Sequence, residues 1–226
     1  MFDAILLIAG KGQRSGLSYN KILYKIDGKP LFRYSLETFL SCQDCHKVII
    51  VTTKDDYEQV YTAVRDLDLS RIEFTYGGDH RQDSVACGIE KCSSKVVLIH
   101  DGARPLIEKN HIINVYEGAL IYSSAVLAVK TVDTIKELKD GKLNTLNRDS
   151  LWNIQTPQGV DLKKFKKALT RAKTDKYYGT DDVSLLEKYY DILPKIIQGS
   201  YRNIKVTNPE DLDYVKYLIR GNNYGI

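Results

Sequence analysis

The chain contains no apolar run near the roughly 18 residues that a membrane-spanning helix needs, and its 43% hydrophobic and 27% charged content is that of a water-soluble protein. No basic stretch precedes the first apolar segment, because Met1-Phe2-Asp3 puts an acid where a secretory leader carries cations. A cytoplasmic location without membrane contact is therefore expected. A large charge excess is also missing: 33 Lys+Arg against 29 Asp+Glu leave +4, too slight for the basic stripe of a nucleic-acid binder. Small anionic ligands fit that balance better. Cysteine is scarce, with four residues at Cys42, Cys45, Cys87 and Cys92. Cys42-Gln43-Asp44-Cys45 has C-x-x-C spacing, but neither a matching second pair nor a histidine pair completes a zinc set. The thiols are read as reduced and structural or superficial. Repeats, low-complexity tracts and linkers are absent, so 226 residues imply one domain over 1–226.

What is present begins with a glycine-rich stretch, A-G-K-G-Q-R-S-G-L-S-Y-N-K over 9–21, directly after the apolar run 4–8. Glycines let main-chain amides converge on a ligand, and Lys11, Arg14 and Lys21 add positive charge, a combination suited to a polyphosphate. It is not a Walker loop, since Gly16 is followed by Leu17 and Ser18. Nor is it the G-x-G-x-x-G dinucleotide fingerprint, whose third glycine would fall at Ser15. That fingerprint should also open a helix, whereas 22–26 reads as a strand.

Beyond this stretch, strand and helix patterns alternate, the signature of a mostly parallel sheet covered by helices. Strands are expected at 47–52, 72–76, 95–100 and 125–129, and helices at 30–40, 55–67, through about residue 90, 108–122, 161–172 and 183–189. Residues 131–155 break the alternation with two extended runs about Asp140-Gly141, a strong hairpin signal. A lone hairpin is marginal in water, so 131–155 is expected to be a protruding β-arm that contacts a second subunit. Thr180 reads as a helix N-cap, 204–206 as a short strand, and Asn208-Pro209 as the start of the last helix. The expected fold class is α/β, a Rossmann-like three-layer domain with that arm.

Three loops thus follow successive strands: 9–21, Gly77 to Ser84, and Asp101 to Pro105. They offer amides and cations for phosphates, polar groups for a base or ribose, and an acid for a divalent cation, which together describe a nucleoside triphosphate site. His100 is read as structural.

With these residues in view, the chain resembles the 2-C-methyl-D-erythritol 4-phosphate cytidylyltransferase family. The matching segments are A-G-K-G-Q-R-S-G with Lys21, G-G-D-H-R-Q-D-S-V at 77–85, H-D-G-A-R-P at 100–105, V-D-T at 132–134, T-P-Q at 156–158, T-D-D at 180–182 and N-I-K-V-T at 203–207. The resemblance implies attack of an alcohol phosphate on the α-phosphate of CTP, with Mg²⁺ or another divalent cation. It implies Arg14 and Lys21 as catalytic residues, and Ala9, Gly10, Gly12, Gly78, Asp79, Arg81, Ser84 and Asp101 as CTP-binding residues. Asp101 would also meet the metal, and Arg81 would order its loop. Arg104, Thr134, Arg148, Thr156, Thr180 and Lys205 would meet the alcohol phosphate, the arm's residues reaching a homodimer partner's site. The chain departs from many members at Ile8, Ser15, Asn20 and Ile22, and Arg202 replaces an acid found in some. A sister activity on ribitol 5-phosphate or another pentitol phosphate is the alternative, though Gly102-Ala103 favours the methylerythritol branch. A nucleotide-sugar glycosyltransferase is discounted because Asp66-Leu67-Asp68 and Asp211-Leu212-Asp213 fall in or at the ends of expected helices.

Overall fold

Near-continuous apolar runs in the strands follow from a sheet buried on both faces. The computed structural model describes residues 1–10 and 21–221. Its strands are β1 (Phe2–Leu7), β2 (Lys25–Ile26), β3 (Lys29–Pro30), β4 (Cys45–Thr52), β5 (Ile72–Tyr76), β6 (Val96–Asp101), β7 (Ser124–Lys130), β8 (Lys136–Lys139), β9 (Lys142–Thr145), β10 (Trp152–Asp161) and β11 (Lys195–Gln198). The helices are α1 (Leu31–Leu40), α2 (Tyr57–Val64), α3 (Arg81–Ile89), α4 (Lys109–Tyr122), α5 (Leu162–Thr174), α6 (Val183–Tyr190) and α7 (Pro209–Arg220).

The central sheet has seven strands in the order β11-β7-β10-β6-β1-β4-β5. All its pairings are parallel except those of β10, which runs against both β6 and β7. Alternate residues serve opposite faces. Ala4, Leu6, Val48, Ile50 and Leu98 pack with Phe32, Leu36 and Phe39 of α1, Val60 and Val64 of α2 and Ile112 and Val115 of α4. Ile5, Ile49, Val51, Val97 and Ile99 pack with Val85 and Ile89 of α3, Phe165 and Ala168 of α5 and Leu185 and Leu186 of α6. The result is the expected three-layer α/β architecture. α7 docks separately, through Leu212 and Val215 on Ile26 and Leu31.

Connectivity locates the crevice. The chain steps from β1 outward through β4 to β5, then returns to lay β6 on the other side of β1. At such a switch point the loops after β1 and β6 part in opposite directions and leave a cleft at the strands' carboxyl ends.

Five local readings change. Residues 21–23 form a 3-10 turn, leaving only Lys25–Ile26 as strand. β10 runs unbroken through Thr156-Pro157-Gln158, where proline argues against a central strand; its pairing with β7 shifts register between Ile154 and Gln158, which accommodates the missing N–H. The edge strand β11, parallel to β7, was not expected. Residues 204–206 form no strand, although Val206 N donates to Ala103 O at 2.8 Å. Within 131–155 the paired hairpin is β8–β9, with Asp140 and Gly141 both at positive φ (51° and 75°) as its two-residue turn requires, while 152–155 already belong to β10.

Candidate active site

β6 ends in Asp101, whose buried carboxylate faces two cations. Lys205 Nζ donates to Oδ2 at 2.7 Å and Arg81 Nε to Oδ1 at 3.2 Å. Burial alone would raise the Asp101 pKa, but the Arg81 and Lys205 charges outweigh it and hold the carboxyl well below the usual carboxylate range. Arg81, the first residue of α3, also grips Asp182 in a two-pronged pair, Nη1 to Oδ1 and Nη2 to Oδ2, both at 2.8 Å. At Asp182 burial dominates, and its carboxyl sits above the ordinary value despite Arg81. Lys205, Asp101, Arg81 and Asp182 therefore form one line of alternating charge across the crevice.

The antiparallel course of β10 carries Thr156 to the end of β6. Asp101 N donates to Thr156 Oγ1 at 3.1 Å, so the threonine's own hydrogen is free for His100 Nδ1, 3.0 Å away. That leaves the proton of neutral His100 on Nε2, which donates to Arg104 O at 3.0 Å. Full burial pushes His100 down to about 4, and both of its ring nitrogens are spent on protein partners. Arg104 Nη1 donates to Asn203 O at 2.7 Å, and burial lowers its pKa.

The loop after β5 closes the other wall. Gly78 N donates to Ser84 Oγ at 3.2 Å, and His80 N to Asp83 Oδ2 at 3.1 Å at the start of α3. A Cβ on Gly77 would stand 2.7 Å from both Ala9 Cβ and Ser84 Oγ, so the loops after β1 and β5 approach as closely as glycine allows. Asp79 is exposed beside this contact.

Among the residues singled out from the sequence, Arg81, Asp101, Thr156, Lys205 and Arg104 thus fall in one connected network, with Ala9, Gly78 and Ser84 on the adjoining wall. Among the described residues the Arg81 side chain bonds to β6 and to the start of α6 rather than within its own loop. Lys21 opens the 3-10 turn; burial opposes ionisation of Asp211, but the Thr207 and Asn208 amides, the Thr207 hydroxyl and Lys21 together hold that carboxyl low. Gly10 is exposed after β1, while Gly12 and Arg14 lie outside the described residues. Thr134 and Arg148 are exposed on the hairpin segment, with Arg148 Nη1 on Val132 O at 3.0 Å, and among the described residues they do not join the network. Thr180 is exposed and is not the cap of α6. The free amides there go elsewhere: Asp182 N and Val183 N donate to Gln158 Oε1 at 2.9 and 3.1 Å, and Ser184 N to Asp181 Oδ1 at 3.1 Å. Gln158, Asp182 and Asn203 went unnamed as site residues although all three lie inside the quoted motifs. Asp182, a second acid beside one already sufficient for capping, was the available signal.

Comparison with known proteins agrees along the whole length. The family model described as 2-C-methyl-D-erythritol 4-phosphate cytidylyltransferase matches residues 2–221. Relatives carrying that name are 38% identical over 224 residues in Geobacillus thermodenitrificans (96% of each chain) and 38% identical over 221 residues in Aquifex aeolicus (97% of this chain, 98% of the relative). The solved 4-diphosphocytidyl-2C-methyl-D-erythritol synthase of Anaerococcus prevotii superposes with a TM-score of 0.88 at 28% identity, covering 97% of this chain and 96% of its own. The line of charge from Lys205 to Asp182 therefore sits in a chain that belongs to the 2-C-methyl-D-erythritol 4-phosphate cytidylyltransferase family.

Proposed function

We infer that this chain transfers the cytidylyl group of CTP to 2-C-methyl-D-erythritol 4-phosphate, forming 4-diphosphocytidyl-2-C-methyl-D-erythritol and pyrophosphate for isoprenoid biosynthesis. The observation that carries the reading is the ionised Asp101 held between Arg81 and Lys205 at the switch-point crevice. Such a site suits a reaction between two anionic phosphates. A phosphate oxygen of the alcohol substrate attacks the α-phosphorus, the bond to the bridging oxygen of the β-phosphate breaks, and pyrophosphate leaves with that electron pair. The attacking group is already an anion, so no general base is required. Neutral His100, with both ring nitrogens occupied, agrees with that. Catalysis then rests on positioning and charge neutralisation.

In this reading Ala9, Gly10, Gly12, Gly78, Asp79, Arg81, Ser84 and Asp101 receive CTP, and Arg14 and Lys21 stabilise charge at the α-phosphorus. Arg104, Thr156, Thr180 and Lys205 meet the alcohol phosphate, joined by Thr134 and Arg148 from a partner's arm. Among the described residues no group of three acids, histidines or cysteines could hold a metal by itself. Asp101 nevertheless fits a Mg²⁺ carried in by the nucleotide, because Mg²⁺ commonly takes one carboxylate plus substrate phosphates, and each Asp101 oxygen retains a lone pair. Bound there, the ion would neutralise triphosphate charge. The exposed Val132, Leu138 and Leu143 support an arm covered by a second copy, within a single domain over 1–226. The four free cysteines support a reducing, cytoplasmic setting.

A pyrophosphate-release assay with CTP and Mg²⁺, offering the methylerythritol and ribitol phosphates separately, tests the reading. Turnover with the first is expected; turnover with ribitol 5-phosphate alone would overturn it.

A further inference from the structure

Lys205 lies on a stretch with no ladder of its own. From 203 to 206 the chain is neither strand nor helix, and among the described residues its backbone-to-backbone bonds are Asn203 N to Ser200 O at 3.0 Å and Val206 N to Ala103 O at 2.8 Å. A long, flexible ammonium side chain on so lightly held a segment would not stay in register with Asp101 unless something else fixed its base.

That anchor is Asn203, two residues upstream and fully buried. Its Nδ2 donates to Thr156 O at 3.0 Å and to Gln155 Oε1 at 3.2 Å, so both amide hydrogens meet acceptors. Its main-chain oxygen accepts Arg104 Nη1 at 2.7 Å. Gln155 completes the brace, giving its own Nε2 hydrogen to Ser200 O at 2.9 Å. The brace needs Gly199, where a Cβ would stand 2.6 Å from Gln155 Oε1. One residue thus joins three separate stretches, its side chain tying the middle of β10 to the 199–205 segment and its main-chain oxygen reaching the loop after β6. Each of them contributes a residue assigned above to the alcohol phosphate.

We propose that Asn203 is a positioning residue for the alcohol-phosphate half of the site, its carboxamide and carbonyl fixing Lys205, Arg104 and Thr156 relative to one another. The proposal rests on the substrate assignment made under the proposed function. CTP should feel Asn203 less, because among the described residues Gly78 and Ser84 make no bond to it and Asp101 meets it only through Thr156 and Lys205, while Arg81 holds Asp101 from the other side.

The test replaces Asn203 by leucine, similar in size and uncharged, and measures both Michaelis constants, kcat and the melting temperature. Asn203→Leu should raise KM for the alcohol phosphate about tenfold while KM for CTP stays within about twofold. Added to Lys205→Ala, it should raise that KM by less than it does alone, since the part of its effect that runs through the placed ammonium is already gone. Should Asn203→Leu fail to fold, Gln155→Met, which keeps the Thr156 bond, carries the same test with a shift of about threefold. Equal rises in both KM values, or a lowered melting temperature with neither KM changed, would overturn the positioning role. Lys205→Ala leaving the alcohol-phosphate KM unchanged would overturn the substrate assignment and the proposal with it, and that result is separable because it involves no change at 203.

Discussion

Two buried aspartates lie on neighbouring strands at opposite ends of the same sheet, and they are satisfied in different ways. Asp3, near the start of β1, accepts Ser93 N at 2.6 Å, Ser94 N at 2.8 Å, Ser94 Oγ at 2.9 Å and His46 Nδ1 at 2.9 Å. Burial would raise its pKa, yet those bonds win and lower it. Its partners are mostly amides and hydroxyls built into one turn. Asp101, at the end of β6, is instead held by the charged ends of two long side chains, which are 36% (Arg81) and 40% (Lys205) exposed. A carboxylate fixed by main chain is a brace. One fixed by partly exposed cations can exchange a partner for a ligand without unfolding anything.

Breaking the second aspartate should have the largest effect. Asp101→Asn should lower kcat by about 10²–10³-fold while the circular dichroism spectrum stays native; a variant with near-normal turnover would sink the assignment of this end of the sheet. Next comes the histidine attached to each aspartate. His46 bonds Asp3 directly and is half-exposed, whereas His100 is buried neutral, bonded to Thr156 and Arg104. Because the His100 pKa falls from 6.5 to about 4 on folding, the unfolded chain binds the extra proton between those values. Stability should therefore be full above pH 6.5 and decline towards pH 4, by about 3 kcal/mol from this group, with no further loss from it below. Urea titrations of wild type across that range check this, and a flat profile would contradict the buried neutral ring.

Asp3→Asn should show the opposite pattern to Asp101→Asn. A loss of about 1–3 kcal/mol of stability is expected, because the amide can keep one oxygen for the Ser93 and Ser94 N–H groups but then loses the charge and turns its NH2 towards His46 Nδ1 and Ser94 Oγ, while kcat/KM stays near wild type. A large kinetic defect there would erase the contrast. The smallest effect on folding belongs to the arm. Leu138→Ser with Leu143→Ser alters side chains that are 69% and 64% exposed, so folding should change by less than about 0.5 kcal/mol. Sedimentation should nonetheless shift from dimer to monomer, and an unaltered dimer would remove the arm from the proposed interface.

These contrasts also mark what the sequence could disclose. The strands containing Ile49-Ile50-Val51 and Val97-Leu98-Ile99 were readable because burial on both faces leaves an uninterrupted apolar run. The three loops were readable because glycine, acid and cation recur after such runs. β11 was not, since Lys195–Gln198 pairs on one side only and is mostly exposed. β10 was hidden by Pro157, whose ladder break is visible only against β7. The Thr180 cap failed for a different reason: Gln158, distant in sequence, satisfies the amides that a local cap would have taken. Asp101 could be named from its motif, but its joint hold by Arg81 and Lys205 depends on residues 20 and 104 positions away.

The hairpin has a consequence for how this architecture can vary. The chain leaves the sheet after Lys130 and re-enters at Trp152, and those two residues face each other across the β7–β10 ladder. An excursion that starts and ends on paired residues is a side branch, and its length places no demand on the register behind it. Replacing 133–149 by a short turn should leave all seven strands in place and the Asp101 network intact. The hairpin is thus free to change in length and shape while the crevice of its own chain remains unchanged.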